Sequence, residues 1–193
     1  MARRWLSAAV LLAAIAGCVA IQANFKAPPS YAFNLPEETP LGRAYAGDLA
    51  RHPGKSGFRL MNSGVGALMT RAALADLAER AIDLQYFIYE PDETGAFLME
   101  RLIEAAGRGV RVRILLDDYA LGFDDLDLLK IVDAHPNVEI RVFNPFPHRS
   151  RWLRPFQLAF QLDTLGMRMH NKVFVVDGQV AILGGRNISN HYF

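Results

Sequence analysis

A histidine and a lysine lie two residues apart at the start of an apolar run, and an asparagine follows farther along. His170, Lys172, Asp177 and Asn187 are spaced as His-x-Lys-x4-Asp-x6-Gly-Gly-x-Asn. A neutral imidazole can attack phosphorus, an ammonium group can neutralise phosphate oxygens, and a carboxamide can donate hydrogen bonds to them. We therefore predict phosphodiester chemistry, with His170 as nucleophile and with Lys172 and Asn187 binding the phosphate. These groups require no metal or other cofactor.

Two β-rich runs are predicted to carry these side chains. The apolar segments 173–176 and 179–183 are separated by Asp-Gly, a strong signal for a tight hairpin turn. Because side chains alternate along a strand, His170 and Lys172 should point to the same face. A Gly-Gly pair after the second run predicts another turn, which would bring Asn187 back toward the start of the first strand.

Three aspartates have both a functional and a structural interpretation. Asp177 is included with His170 and Lys172 among the catalytic candidates, but a role in the Asp-Gly turn is favoured. Asp117 and Asp118 follow a predicted strand, where paired carboxylates can bind Mg²⁺. Capping of the following turn is the favoured alternative for this pair, which would then lie at the rim of a site at the carboxyl edge of a parallel sheet.

Strands alternate with helices from residue 58 onward. This order predicts an α/β domain with a largely parallel mixed sheet covered by helices on both faces. The predicted elements are strands over 58–61, 83–89, 110–116 and 138–143, a helix over 66–81, a helix that begins at Thr94 as N-cap and ends at the glycines 107 and 109, and a helix over 128–134 capped by Asp124 or Asp125.

The first residues have the pattern of a secretory signal. Two arginines precede the apolar segment 5–16, which is shorter than the roughly 20 residues needed to span a bilayer. The sequence Ile-Ala-Gly-Cys that ends at Cys18 resembles the lipobox of bacterial lipoproteins. This resemblance implies removal of residues 1–17 and lipidation of Cys18, and Val19 favours the outer membrane of a Gram-negative bacterium, facing the periplasm. The alternative is an ordinary signal peptide with a buried thiol.

Composition predicts one domain behind a tether. Cys18 is the only cysteine among 193 residues, so disulfides within the chain are excluded. Segment 18–57 is rich in proline and is predicted to be a tether without regular secondary structure. Residues 58–193 are long enough for one domain with a substantial core. The formal net charge of +1 gives no signature of nucleic-acid binding.

The segment from Asn144 to Arg168 interleaves basic and aromatic side chains. The basic ones are His148, Arg149, Arg151, Arg154 and Arg168, and the aromatic ones include Phe146, Trp152, Phe156 and Phe160. Basic groups attract anionic lipid surfaces, and Trp and Phe insert at the headgroup boundary. The segment is therefore either a lip that admits an anionic phospholipid to His170 or a connection whose aromatic side chains pack on the domain.

The spacing around His170 resembles the HKD motif of the phospholipase D superfamily. Segments 84–89, 109–118 and 143–146 resemble bacterial cardiolipin synthases, especially those of the C type, and the resemblance extends over residues 57–193. It implies a phospholipase D-like α/β/α sandwich and a phosphatidyltransferase. His170 would take a phosphatidyl group from one phospholipid and form a phosphohistidine, and the hydroxyl of a second lipid would then remove it.

One departure from that family concerns the general acid. Family members carry two HKD motifs, and the second histidine acts as the acid, whereas this sequence contains one such motif. We expect either the N-terminal half of a longer protein, which is favoured, or two copies paired across a symmetric interface. Because acid catalysis supplies about 10²–10⁴-fold, the chain alone should be weak or inactive. Uncovered apolar surface is expected near Ile182, Leu183 and Ile188.

Three alternatives to a phosphatidyltransferase are compatible with the same residues. A phospholipase would pass the phosphatidyl group to water. A nuclease or phosphodiesterase of the same superfamily is disfavoured by the lipobox-like segment and by the low net charge. A fragment without its second motif would be inactive.

Overall fold

The computed structural model describes residues 28–119, 121, 129, 132–146, 154–160 and 165–193. They form an α/β fold around a five-stranded mixed sheet, as predicted. The strands are β1 (Ala81–Tyr86), β2 (Arg111–Asp117), β3 (Val138–Phe143), β4 (Lys172–Val176) and β5 (Val180–Leu183). The helices are α1 (Pro40–Arg51), α2 (Gly64–Leu77), α3 (Glu93–Gly107) and α4 (Arg154–Phe160), with short 3-10 turns at Pro36–Glu38 and Asn190–Tyr192.

The sheet has the strand order β3-β2-β1-β4-β5. β1 pairs in parallel with β2, and β2 pairs in parallel with β3. β4 is antiparallel to both β1 and β5, so only β4 runs against the common direction. The carboxyl ends of β1, β2 and β3 consequently meet the start of β4 at one edge of the sheet.

The β4–β5 hairpin confirms the turn predicted from Asp-Gly. Asp177 has φ 52° and Gly178 has φ 64°. Two consecutive positive φ angles belong to a type I′ turn, whose twist matches that of the flanking strands. Glycine is also required sterically, because a Cβ at Gly178 would lie 2.6 Å from the carbonyl oxygen of Phe33.

Helices α2 and α3 pack on one face of the sheet and form the apolar core with it. Alternate strand positions supply the other half of this core: Ile82, Leu84 and Tyr86 on β1, Val112, Ile114 and Leu116 on β2, and Phe174 and Val176 on β4. Lys172 belongs to the same alternating row of β4, and it is buried like its neighbours in that row. The strand period therefore directs a lysine toward the apolar side of the sheet.

The N-cap of α3 differs from the predicted one. The Oδ1 atom of Asp92 accepts a hydrogen bond from the amide of Gly95 at 3.0 Å, which makes Asp92 the cap. Thr94 lies inside the helix, and both its amide and its hydroxyl donate to Oδ1 of Asn190. The prediction of Thr94 was wrong because a capping oxygen serves an amide two or three residues ahead, and Asp92 holds that position.

The described part of the predicted tether contains a helix, which the sequence analysis did not anticipate. The Thr39 hydroxyl accepts from the amide of Gly42 at 3.0 Å, and Pro40 occupies the first turn of α1. Proline fits that position because its missing N–H has no partner in a first helical turn. Upstream of the helix, Arg141 donates to the carbonyl of Pro28 and Arg113 to the hydroxyl of Ser30, so this segment lies against β2 and β3.

The expected exposure of apolar side chains near the β5 end was mostly wrong. Ile182 and Ile188 are 4% and 0% exposed, whereas Leu183 is 65% exposed. Both isoleucines belong to the apolar core, and the backbone of Ile188 also forms a bridge with Tyr89 beside β1.

Several predictions concern residues outside those that the structure describes. They are the signal segment 1–17, the lipidation of Cys18, the caps Asp124 and Asp125, and the lip residues His148, Arg149, Arg151 and Trp152. Within the described ranges, no helix combines the length and the apolar character needed to cross a bilayer.

Candidate active site

The predicted nucleophile and its lysine lie at the carboxyl edge of the sheet. Lys172 is the first residue of β4 and pairs with Tyr86, the last residue of β1. His170 precedes the strand by two residues and is exposed to solvent. The ends of β1 and β2 therefore supply the surroundings of both side chains, as expected for a ligand site in an open α/β sheet.

The ammonium group of Lys172 is held close to His170 in a buried position. Lys172 is 6% exposed, and its Nζ atom donates a hydrogen bond to the carbonyl oxygen of His170 at 2.9 Å. Burial lowers the pKa of Lys172 from its usual range, because desolvation disfavours the charged form. An ammonium group has three N–H donors, so this arrangement leaves donors that can bind a phosphate oxygen.

An aromatic side chain that the sequence analysis missed joins the two predicted residues. The ring of Phe87 lies 5.1 Å from the imidazole of His170, centroid to centroid, and 5.2 Å from Nζ of Lys172. The same ring stacks on Tyr119 at 5.7 Å. Phe87 is the first residue after β1, and Tyr119 is the second residue after β2. The signal that could have predicted them is an aromatic residue at the carboxyl end of a predicted parallel strand.

Asp117 fixes the chain immediately before His170. Its Oδ2 atom accepts from the amide of Met169 at 2.7 Å, and its Oδ1 accepts from the amide of Tyr119 at 2.8 Å and from Nη1 of Arg168 at 3.1 Å. Among the described residues, no group of three or more His, Cys, Asp or Glu side chains is arranged to hold a metal ion. The hydrogen bond from Tyr119 gives Asp117 the turn-capping role that was favoured, and the bond from Met169 links the same carboxylate to the segment that carries His170.

Asp118 and its surroundings hold the connection between β3 and β4. Oδ2 of Asp118 accepts from the amide of Phe146 at 2.7 Å. Arg168 donates to the carbonyl of Asn144 at 3.0 Å, and its guanidinium lies 4.6 Å from the centroid of the Phe146 ring. For Arg168 and Phe146, these contacts agree with the second alternative for this segment, a connection that packs on the domain. Phe156 and Phe160 on α4 are 63% and 85% exposed and remain candidates for that surface.

Asn187 lies at the same edge, beside the end of β1. Its Oδ1 accepts from the amide of Ile88 at 3.1 Å, and its Nδ2 donates to the hydroxyl of Tyr192 at 2.8 Å. Ile88 lies two residues beyond Tyr86, which pairs with Lys172 at the start of β4. Asn187 therefore returns to this edge of the sheet, as predicted. Only one of the two Nδ2 hydrogens is used in this contact, so a bond to phosphate remains compatible with the position.

Asp177 lies at the opposite end of β4 from Lys172. Its carboxylate accepts from the amides of Glu79, Arg80 and Ala81 at 3.1, 2.8 and 2.9 Å. Five residues of extended strand place it about 16 Å from Lys172. The carboxylate holds the start of β1, which corresponds to the structural role, and this distance excludes a direct contact with the groups around His170.

Comparison with known proteins identifies the relatives of this chain. The family model described as "Cardiolipin synthase, PLD-like domain" matches residues 72–193. The chain is 45% identical over 145 residues to cardiolipin synthase C of Escherichia coli K12, which covers 75% of this chain and 30% of that protein. It is 40% identical over 158 residues to an uncharacterized protein of Helicobacter pylori, with 82% and 31% covered. The chain therefore spans about a third of the length of these curated relatives.

A solved structure shares the fold. NucT from Helicobacter pylori matches with a TM-score of 0.50 and 16% identity, over 70% of this chain and 75% of that one. At this level of identity the match concerns the arrangement of strands and helices, and it agrees with the mixed open sheet described above.

Proposed function

Since the chain belongs to the phospholipase D-like family of the cardiolipin synthases, we propose that it transfers a phosphatidyl group through a covalent intermediate on His170. The observation that carries this proposal is the buried ammonium of Lys172, fixed 2.9 Å from the backbone oxygen of an exposed His170. A phosphodiester bound by Lys172 would place its phosphorus beside the imidazole. The proposed donor is an anionic phospholipid such as phosphatidylglycerol.

Two displacements at phosphorus make up the proposed reaction. In the first, an imidazole nitrogen of His170 forms a bond to phosphorus while the bond to the leaving alcohol oxygen breaks, and that oxygen takes up a proton. In the second, the hydroxyl of an acceptor lipid attacks phosphorus, its proton passes to the group that protonated the first leaving oxygen, and the N–P bond breaks. Lys172 stabilises the negative charge on the phosphoryl oxygens in both steps.

The proton for the first leaving group requires a second acid. The sequence holds one His-x-Lys-x4-Asp motif, and we propose that an equivalent histidine comes from another segment of a longer chain or from a second copy.

The site is also proposed to work at a membrane. The lipobox-like sequence at Cys18 supports a lipid anchor in the outer membrane, and the exposed Phe156 and Phe160 support contact with the lipid that supplies the substrate.

The decisive test uses a substrate that needs no acid. The p-nitrophenyl ester of phosphatidic acid, presented in vesicles, releases a stable p-nitrophenolate anion without protonation. We expect a burst of p-nitrophenolate stoichiometric with the chain and a phosphatidyl adduct on His170, detected by mass spectrometry under denaturing conditions. The exposed His191 provides the matched control. His170→Asn should abolish the burst and His191→Asn should retain it, whereas a wild-type chain without burst or adduct would contradict the proposal.

Transfer is separated from hydrolysis by the products. The chain is combined with the segment or the second copy that provides the second histidine. It is then incubated with phosphatidylglycerol, either alone or mixed with phosphatidylethanolamine. A transferase forms a diphosphatidyl or phosphatidyl-exchanged lipid, whereas phosphatidic acid as the only product would identify a phospholipase.

A further inference from the structure

The ring of Phe87 contacts both groups of the proposed reaction, although the His-x-Lys-x4-Asp motif does not include this residue. It lies 5.1 Å from the His170 ring at an interplanar angle of 54° and 5.2 Å from Nζ of Lys172. Building on the phosphohistidine function above, we propose that Phe87 is a positioning residue that holds the ammonium of Lys172 and the imidazole of His170 in one reactive arrangement.

Neighbouring contacts fix the position of this ring. Phe87 follows Tyr86, which is fully buried and accepts a hydrogen bond from Arg71 through its hydroxyl. It precedes Ile88, whose amide donates to Asn187. The backbone on both sides of Phe87 is thereby tied to the core, and the half-buried side chain stacks on Tyr119 at 5.7 Å. The ring is thus a fixed surface that contacts the side chains of both Lys172 and His170.

An aromatic ring suits this position better than a carboxylate would. The negative face of the ring attracts an ammonium group without taking up its N–H donors. A carboxylate beside Lys172 would instead form a salt bridge and neutralise the charge that the phosphate needs. The tilted ring contact also restricts the orientation of the His170 imidazole, because aromatic pairs have preferred relative arrangements.

Fluorination of the Phe87 ring tests the electrostatic part of the proposal. Incorporation of 3,4,5-trifluorophenylalanine at position 87 keeps the shape of the side chain and weakens the negative face. From the usual strength of a cation–π contact, the rate constant of the p-nitrophenolate burst should fall about three- to thirtyfold, with little change in the substrate concentration at half-saturation. Phe87→Leu should cause at least the same loss, and Phe87→Tyr should restore most of it because the ring is kept.

Phe97 on α3 offers a matched control. It is also half-buried, and its ring lies 5.9 Å from the guanidinium of Arg101. Trifluorophenylalanine at position 97 and Phe97→Leu should leave the burst rate unchanged. Equal losses at positions 87 and 97, or an unchanged rate after fluorination at 87, would overturn the proposed role of Phe87.

A measurement without substrate separates this proposal from the proposed function. In NMR spectra of the full chain labelled in lysine, the ring current of Phe87 should shift the ε-methylene signal of Lys172. The shift should disappear in Phe87→Leu and persist in Phe87→Tyr. If the wild-type chain shows this pattern but no burst, the phosphohistidine function fails and the positioning contact stands; if Phe87→Leu leaves the Lys172 signal in place, the positioning role fails whatever the burst shows.

Discussion

Lys172 combines a buried environment with a charge that the proposed chemistry requires. Its pKa is lowered by desolvation, so the ammonium form is lost at a lower pH than for an exposed lysine. The burst rate should therefore decline on the basic side from a pH below the ordinary lysine pKa of about 10.4. Lys172→Arg, whose charge persists over this range, should react more slowly but lack this decline. A basic limb that is identical in both proteins would show that another group titrates.

The same lowered pKa predicts how the stability of the fold depends on pH. Between the folded and the unfolded pKa of Lys172, the unfolded chain binds more protons than the folded one, so the free energy of unfolding rises with pH in this window. Below the lowered pKa, both states are protonated and this contribution is constant. Denaturant unfolding at several pH values should show the rise in the wild type, and Lys172→Met should remove it.

Asp177 is expected to contribute to stability rather than to chemistry. Its buried carboxylate accepts three backbone hydrogen bonds from residues 79–81. Asp177→Ala would leave these amides without their partner, at a cost of about 3 kcal/mol or more in the free energy of unfolding. The chain that remains folded should still give the burst. A fully stable Asp177→Ala protein without burst would instead assign Asp177 to catalysis.

The residues of the site differ in how far the sequence could predict them. His170 and Lys172 were predictable because both lie on one segment with a strand period. Phe87 was not predicted as their neighbour, and Asp117 was predicted only at the rim of a site, because the approach of both to His170 depends on β4 inserting beside β1 instead of following β3. Hydrophobic patterns define strands, but they do not define the order of strands in a sheet.

At the scale of elements, the connection between β3 and β4 has two different faces. Arg168 packs on the buried ring of Phe146, whereas Phe156 and Phe160 on α4 are 63% and 85% exposed. We predict that these two phenylalanines insert into anionic membranes. Phe156→Ala combined with Phe160→Ala should weaken binding to phosphatidylglycerol vesicles about a hundredfold or more, since each buried aromatic side chain contributes roughly 1.5–3 kcal/mol and about 1.4 kcal/mol corresponds to a factor of ten.

Phe58 supplies the control for this vesicle experiment. It is 90% exposed but lies outside α4, so Phe58→Ala tests whether any exposed phenylalanine has the same effect. Binding that is unchanged in the α4 double variant would contradict the lipid-facing surface, and an equal loss in Phe58→Ala would show that the effect is not specific to α4.

Helix α1 shows where composition misleads at this scale. Five prolines in segment 22–57 predicted an irregular tether. One of them, Pro40, instead begins α1 behind the cap Thr39, and another, Pro36, begins a 3-10 turn. Proline disrupts the interior of a helix but favours its first turn, so its position relative to a capping residue carries more information than its frequency.

At the scale of the whole molecule, the fold brings the proposed nucleophile His170 and the proposed phosphate-binding Lys172 to one edge of the sheet. The sequence provides one motif, whereas the proposed reaction needs an acid as well. With a natural phospholipid the first step requires protonation of the leaving alcohol, and its absence should slow the reaction about 10²–10⁴-fold. With the p-nitrophenyl ester the same step needs no acid. The ratio of the rate with the phospholipid to the rate with the p-nitrophenyl ester therefore measures the fraction of sites that contain the second imidazole.

The concentration dependence of this ratio distinguishes the two sources of the acid. If a second copy supplies it across a symmetric interface, the rate with phosphatidylglycerol should rise with the square of chain concentration below the dimerisation constant, while the p-nitrophenyl burst rises linearly. Mixing the wild type with His170→Asn should then produce mixed pairs in which each site lacks one imidazole, so the phospholipid rate should fall faster than the fraction of wild-type chains. A linear dependence for both substrates, together with a phospholipid rate that falls only in proportion to the wild-type fraction in the mixture, would exclude the paired copy and leave another segment of a longer chain as the source.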